Sequence, residues 1–336
     1  MTQATDTIAA PYLLFLGDAP DDLAAKTAFG IAEWRHEKCV GQLRMPGCKT
    51  DLGLPELAVG EAALRGARTL VNGVVNAGGT LSPHWVPVLC AALEAGLDIA
   101  SGLHTRLASF PDIRKTAERY GRQLFDVRHS DRIFSTGTGE RRPGKRLITV
   151  GTDCAVGKKY TALAIEAALK AEGRKATFRA TGQTGILISG GGVAIDAVVS
   201  DFVAGAAEWL SPANAPDHWD IIEGQGSLFH PSYAGVTLGL LHGSQPDAFV
   251  VCHEVSRQTM RGVSHPLPSI HDVIGMTVRL GQLTNPGIAC VGLSINTASL
   301  PKAEALALLK TFEREHGVPA IDPLRTGADT IAARLA

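Results

Sequence analysis

The stretch Arg146 to Thr161, R-L-I-T-V-G-T-D-C-A-V-G-K-K-Y-T, decides how the rest of the chain reads. Leu147 to Val150 is a short β-branched run of the kind that forms a buried strand. It ends at Gly151, passes through a compact turn to Gly157-Lys158, and enters a helical pattern from Thr161 to Ala171. A strand, a glycine-bounded turn, a lysine and a helix together make a phosphate cradle. The glycines let backbone approach the oxyanions, N–H groups at the helix start point at them, and the ammonium supplies charge. Gly151, Thr152, Asp153, Cys154, Ala155, Val156, Gly157, Lys158, Lys159 and Thr161 are therefore the expected phosphate-binding set. The spacing departs from G-x-x-x-x-G-K-[ST]: five residues separate Gly151 from Gly157, and Lys159 stands where a magnesium-holding Ser or Thr belongs. Phosphate binding is the firm expectation, and magnesium-dependent phosphoryl transfer is the weaker one.

Beyond the loop, strands alternate with helices. Gly173 stops the helix, Lys175 to Arg179 reads as a strand, and Thr181 to Gly192 reads as a glycine-rich loop leading to a helix that contains Asp201. Strands follow at Trp219–Ile222, Ala248–Cys252, Ala289–Ile295 and near Ala320, with helices at Ile270–Leu280, Lys302–Glu315 and from about Gly327. The first half alternates likewise: strands at Tyr12–Leu16, Cys39–Leu43, Thr69–Val71 and Asp98–Ala100, helices at Leu23–Trp34, Leu57–Leu64 and Pro83–Ala95. This is the pattern of an α/β protein with doubly wound parallel sheets and loops gathered at the strand C-termini. The polar, glycine-containing segment Arg128–Lys145 reads as a linker, which puts a domain boundary near residue 140.

Bulk properties remove several classes. With 336 residues, 45% hydrophobic and 19% charged residues and net charge −1, the chain reads as a globular protein of two domains with no basic field for nucleic acid. The six cysteines lack a C-x-x-C pair, so they read as reduced thiols and not as a disulfide framework or a zinc site. Met1 to Ala10 lacks a signal-peptide pattern, and no apolar run approaches the roughly 20 residues of a membrane span. A cytoplasmic location is expected, with no resident metal.

Glu223 ends a core strand within E-G-Q-G-S, where phosphate-loop proteins place an acidic residue near the reacting group. The alternative for such a residue is a helix cap. His230, seven residues beyond it, is the histidine expected to face the site as a base, with His253, His265 and His271 as competitors. Gln183 and Thr184 follow the strand after the phosphate loop and could touch substrate or simply form a turn. The Gly78-Gly79 turn could form an anion nest or a plain connection, and Arg106 could join the same rim. Asp153 could hold magnesium or bond its own backbone. Cys154 reads as a small apolar filler.

These residues carry a resemblance. G-T-D-C-A-V-G-K is similar to the G-T-D-x-x-V-G-K loop of dethiobiotin synthetase, extra residue included, and E-G-Q-G resembles its E-G-A-G strand end. Nearly the whole chain resembles the DgcN-type D-glutamate N-acetyltransferases, through A-K-T-A-F-G (25–30), the phosphate loop, R-A-T-G-Q-T-G (179–185) and E-G-Q-G-S-L-F-H-P (223–231). The resemblance implies a Rossmann-like domain over 1–140, a modified P-loop NTPase-like domain over 141–336, and transfer of acetyl from acetyl-CoA to the amine of an amino acid. Lys158 would then hold a coenzyme phosphate without transferring it, Glu223 or His230 would take the acceptor's proton, and Arg179, Arg106 and the Gly78-Gly79 turn would meet its carboxylates. Magnesium becomes dispensable in that scheme. The competing readings are an ATP- and magnesium-dependent carboxylate-activating enzyme, and a nucleotide sensor without catalysis. Large α/β enzymes of this kind are commonly symmetric oligomers, so a homo-oligomer is expected.

Overall fold

The computed structural model describes residues 7–129 and 132–335; Met1–Asp6, and Ser130-Asp131 of the expected linker, lie outside them. The chain forms two compact units, Met1–Asp131 with Gly182–Ala197, and Arg132–Thr181 with Val198–Ala336.

The first unit is a parallel sheet of β1 (Tyr12–Gly17), β2 (Cys39–Arg44), β3 (Thr69–Asn72), β4 (Asp98–Ser101) and β5 (Leu124–Asp126), in the order β2-β1-β3-β4-β5. Its helices are α1 (Lys26–Trp34), α2 (Val59–Leu64), α3 (Val86–Glu94) and α4 (Pro111–Tyr120). Interior β1 carries no charged residue because both its faces are covered, and every residue of it is buried. Leu13, Phe15, Leu70, Trp85, Leu89 and Leu93 share one core cluster, and burying each such side chain contributes about 1.5–3 kcal/mol. The periodicity did not reveal α4 and β5: α4 is charged along most of its length and buries only Ile113 and Ala117.

The second unit carries β6 (Lys145–Gly151), β7 (Ala176–Arg179), β8 (Trp219–Ile222), β9 (Ala248–Glu254), β10 (Ala289–Asn296) and β11 (Ala320–Ile321), all parallel, in the order β11-β10-β9-β6-β8-β7. The helices that follow in sequence are α5 (Lys158–Ala171), α6 (Gln183–Ser189), α7 (Val203–Leu210), α8 (Ala234–Ser244), α9 (Ile270–Gly281), α10 (Lys302–His316) and α11 (Asp329–Ala333). β6 pairs with β8 through Leu147↔Ile221 and with β9 through Val150↔Val251, so the phosphate loop leaves the sheet between those two strands.

Two expectations are corrected. Thr181–Gly192 is not a loop throughout: Ile186, Leu187 and Ile188 are apolar enough to be buried as part of α6, which Gly190 ends at φ +89°. That helix belongs to the first unit, where Thr27 and Thr184 hydroxyls meet at 3.2 Å. Asp201 lies in a short 3₁₀ turn, Ser200–Phe202, ahead of α7.

Candidate active site at the phosphate loop

The loop after β6 is shaped by what its residues lack or tolerate. A side chain on Gly151 would meet Val156 Cγ2 at 2.8 Å, so glycine lets Val156 pack beneath the turn. Ala155 sits at φ +54° and Gly157 at φ +102°, two left-handed positions that curl the backbone ahead of α5. The alanine carries strain of about 1–2 kcal/mol.

Lys158 is buried, and its Nζ donates to the carbonyl of Asp153 at 2.7 Å, inside the loop. Burial pulls its pKa down, and the nearby Cys252, Cys154, Asp153 and Glu223 oppose that shift. An incoming anion would replace the Asp153 carbonyl as partner of the ammonium, which is the phosphate chemistry the motif implies.

Asp153 is fully buried, and its partners are protein groups. Arg257 Nη1 reaches Oδ2 at 2.8 Å, the Arg261 amide donates to the same oxygen at 2.7 Å, and the Cys154 amide donates to Oδ1 at 2.6 Å. Burial alone would push this carboxyl up; the donors outweigh it and hold it below the usual carboxylate range. Arg257 also donates to the Cys154 and Ala155 carbonyls and pairs with Glu254, so one guanidinium clamps the crest of the loop.

Thr161 donates to the Gly157 carbonyl at 3.0 Å and meets Ser294 Oγ at 2.7 Å in the core beneath the loop. Lys159 lies with its ammonium over the Tyr160 ring at 4.5 Å. These donors do not fit magnesium: the loop carboxylate faces an arginine, and the hydroxyl faces the sheet. Asp153, Cys154 and His230 do bring ligand atoms within 4.8 Å of one another. Burial pushes the Cys154 thiol up, away from the thiolate a soft metal or a nucleophile requires.

Glu223 is buried beside this loop. Its Oε2 accepts the Thr181 amide at 2.9 Å, while the Thr181 hydroxyl donates to the Glu223 carbonyl. Gly224 follows with its amide on Thr149 Oγ1 at 2.9 Å, and Gln225 Nε2 reaches Thr181 Oγ1 at 3.1 Å. His230 is buried with both nitrogens engaged: Nδ1 accepts the Ser232 amide at 3.1 Å, which assigns the proton to Nε2 facing the Arg261 carbonyl at 3.0 Å. No lone pair is left on that ring to take a proton in this arrangement.

Arg179 pairs with buried Asp220 at 2.8 Å, within the sheet of the second unit. Gln183, Thr184, Gly78, Gly79 and Arg106 belong to the first unit. There Gly78 and Gly79 take φ +79° and +59°, and the Gly79 carbonyl accepts the His104 and Thr105 amides. Arg106 is exposed beside that turn.

Sequence reasoning missed Arg257 and Arg261 and ranked His253 below His230. Thr152 Oγ1 meets His253 Nδ1 at 3.1 Å, linking β9 to the first loop residue. Burial holds the His253 imidazole below its ordinary 6.5. The folded state therefore binds this proton less readily than the unfolded chain does, and stability falls as the pH drops below 6.5. We expect His253→Gln to flatten the acid limb of the stability curve, measured as urea midpoints from pH 8 to 5; an unchanged slope would contradict this.

A doubly wound parallel sheet with a lysine-bearing phosphate loop, joined to a second parallel α/β unit, defines a two-domain P-loop protein. The match to known families is specific: residues 43–130 fit the Rossmann-like domain of unknown function DUF1611_N, and residues 133–332 fit the P-loop domain of unknown function DUF1611_C. The chain belongs to the DUF1611 family. A D-glutamate N-acetyltransferase from Tritonibacter scottomollicae is 53% identical, over 98% of this chain and 99% of the relative. A D-glutamate N-acetyltransferase from a Pseudoalteromonas species is 50% identical, over 97% and 98%. The crystal structure of a DUF1611 family protein from Anabaena variabilis superposes with a TM-score of 0.81 at 30% identity, over 97% of this chain and 99% of that one.

Proposed function

We propose that this chain is a D-glutamate N-acetyltransferase that draws its acetyl group from acetyl-CoA, whose phosphates bind at loop 151–158. The observation that carries the transfer is the near-full-length relation, at 53% and 50% identity, to two proteins named for it. The assignment of the donor rests on loop chemistry: the coenzyme offers a pyrophosphate and a 3′-phosphate, and the buried Lys158 ammonium has a backbone carbonyl to exchange for one of them. Holding a phosphate requires no magnesium, in keeping with the engagement of Asp153 by Arg257 and of Thr161 by Ser294.

The reaction needs the acceptor's ammonium to lose a proton, its nitrogen to attack the thioester carbonyl, and the thiolate to leave. Of the two bases named from the sequence, His230 is bound through both nitrogens. Glu223 keeps the proposal, although its place beside Lys158 suits it to balancing the lysine's charge. The chain is further read as cytoplasmic, its six cysteines being free thiols, and as a homo-oligomer, which sedimentation would establish. No helix among the described residues is long and apolar enough to cross a membrane.

The test is thiol release from acetyl-CoA with a panel of D- and L-amino acids, run beside a Mg-ATP control. Release that needs D-glutamate and no ATP is expected; ADP formation would overturn the reading in favour of an ATP-dependent activating enzyme. Lys158→Ala should raise KM for acetyl-CoA about 10- to 100-fold, the worth of a hydrogen bond to a charged group, and leave KM for D-glutamate nearly unchanged. The reverse pattern would refute the proposed anchoring.

A further inference from the structure

The segment after β9 carries charge of one sign: no acidic residue stands between Glu254 and Asp272, while Arg257 and Arg261 both do. The segment folds back on itself. Met260 is buried, its amide donates to the His265 carbonyl at 2.8 Å, and the Leu267 amide donates to the Gln258 carbonyl at 3.3 Å. Thr259 bridges Pro266 in antiparallel fashion, which leaves residues 261–264 as the turn, with Gly262 at φ +80°. An L side chain is strained at that angle, and glycine is not.

This turn is built onto the phosphate loop, within the second unit. The Arg261 amide donates to Asp153 Oδ2 at 2.7 Å, and the Arg261 carbonyl faces His230 Nε2 at 3.0 Å. A cavity of about 600 Å³ opens there, lined among others by Arg257, Thr259, Met260, Arg261, Gly262 and Ser264. That is within the roughly 300–1,000 Å³ of small-molecule sites. The two arginines are engaged differently. Arg257 faces two carboxylates, Asp153 and Glu254, and its charge is neutralised within the fold. Arg261 is exposed, is anchored through its backbone, and its guanidinium pairs with no carboxylate among the described residues. Its charge still reaches the loop, where it acts on the Cys154 thiol against the effect of burial. A guanidinium is a planar fork of donors that matches phosphate oxygens in pairs.

We propose that Arg261 binds the 3′-phosphate of the coenzyme while loop 151–158 holds its pyrophosphate, so that the turn at 261–264 selects the 3′-phosphorylated coenzyme over its dephospho form. The proposal rests on the acetyl-CoA reading above. The coenzyme carries its pyrophosphate and its monophosphate on different carbons of one ribose. The second group therefore needs a cation near the cradle but outside it. Arg261 fills that place: its amide touches the loop carboxylate, and its guanidinium has no counter-charge. Thr259 and Ser264 line the same cavity, and their hydroxyls offer further donors to the phosphate oxygens.

Calorimetric titration of the full-length protein with coenzyme A and with dephospho-coenzyme A tests this. The wild type should bind coenzyme A about tenfold or more tightly than the dephospho form, the worth of a hydrogen bond to a charged group. Arg261→Ala should weaken coenzyme A binding by about the same factor and leave the dephospho form within about threefold of wild type, so that the selectivity disappears. Its urea midpoint should match the wild type, because the group that holds Asp153 is the backbone amide, and the loss of affinity then reports a lost contact and not unfolding. A wild type that binds both forms equally, or an Arg261→Ala protein that weakens both equally, would overturn the proposal and leave the acetyl-CoA reading standing. A wild type that binds neither form would remove both.

Discussion

Alanine at position 224 should destabilise the second unit by about 3 kcal/mol, the upper end of what overpacking usually costs. Its Cβ would lie 1.6 Å from the Thr149 carbonyl oxygen and 3.1 Å from Lys158 Cδ. The lysine could swing aside, but the Thr149 oxygen is backbone of β6, where Thr149 pairs with Val250 of β9 and the preceding residue Ile148 pairs with Ile222 of β8. Relief must come from separating the E-G-Q-G turn from the phosphate loop, which would move Glu223 and Lys158 apart. Gly235 is the internal control: it lies in α8, and a Cβ there would have nothing within 4 Å, so Gly235→Ala should be neutral or stabilising by up to about 1 kcal/mol. Urea unfolding of both variants checks the pair. A Gly224→Ala protein as stable as the wild type would show that the turn and the strand are not in contact as described.

Asp153→Ala should cost about 3–5 kcal/mol, the penalty for stranding one partner of a buried ion pair. The carboxylate is fully buried and holds Arg257 and two backbone amides; without it, the amides lose their acceptor and the guanidinium that also binds the Cys154 and Ala155 carbonyls loses one of its two carboxylate partners, Glu254 being the other. The loop crest should loosen, and KM for acetyl-CoA should rise together with the loss of stability. The pH dependence has a definite sign. Donors hold the folded carboxyl below its ordinary 3.8, so its contribution is complete above that value and disappears as pH falls through the lower folded value. Wild-type stability should therefore owe no pH dependence to Asp153 between pH 5 and 8, and Asp153→Ala should remove part of the steep acid limb below 3.8. An Asp153→Ala protein that unfolds at the wild-type urea concentration would refute the clamp.

Legibility followed distance along the chain. The phosphate loop was readable because strand, turn, lysine and helix occupy one window of sequence. The alternation of strands and helices was readable wherever the apolar run was continuous, as in β1 and β6. It failed at α4, whose charge hides a helix anchored by Ile113 and Ala117, and at α6, whose glycines suggested a loop while Ile186, Leu187 and Ile188 formed a buried helix. His230 looked like a base because a histidine near a strand-end acid is chemically apt. Nothing in the surrounding sequence says that the Ser232 amide and the Arg261 carbonyl hold both its nitrogens.

The local structure was thus written in the order of residues: a strand, glycine-bounded turn, lysine and helix at Gly151–Lys158, parallel α/β architecture, and the acid Glu223 at the end of its strand. Backbone propensity and hydrophobic period act over a few residues, and these features need no more. Which side chains meet was settled by folding in three dimensions. Placing β9 beside β6 brings Arg257 to Asp153 across 104 positions, and the β1–β3 switch point brings Trp85 to Asp18 across 67. Strand order is chosen by burial summed over whole sheets, and a buried polar group takes whichever partner that burial delivers.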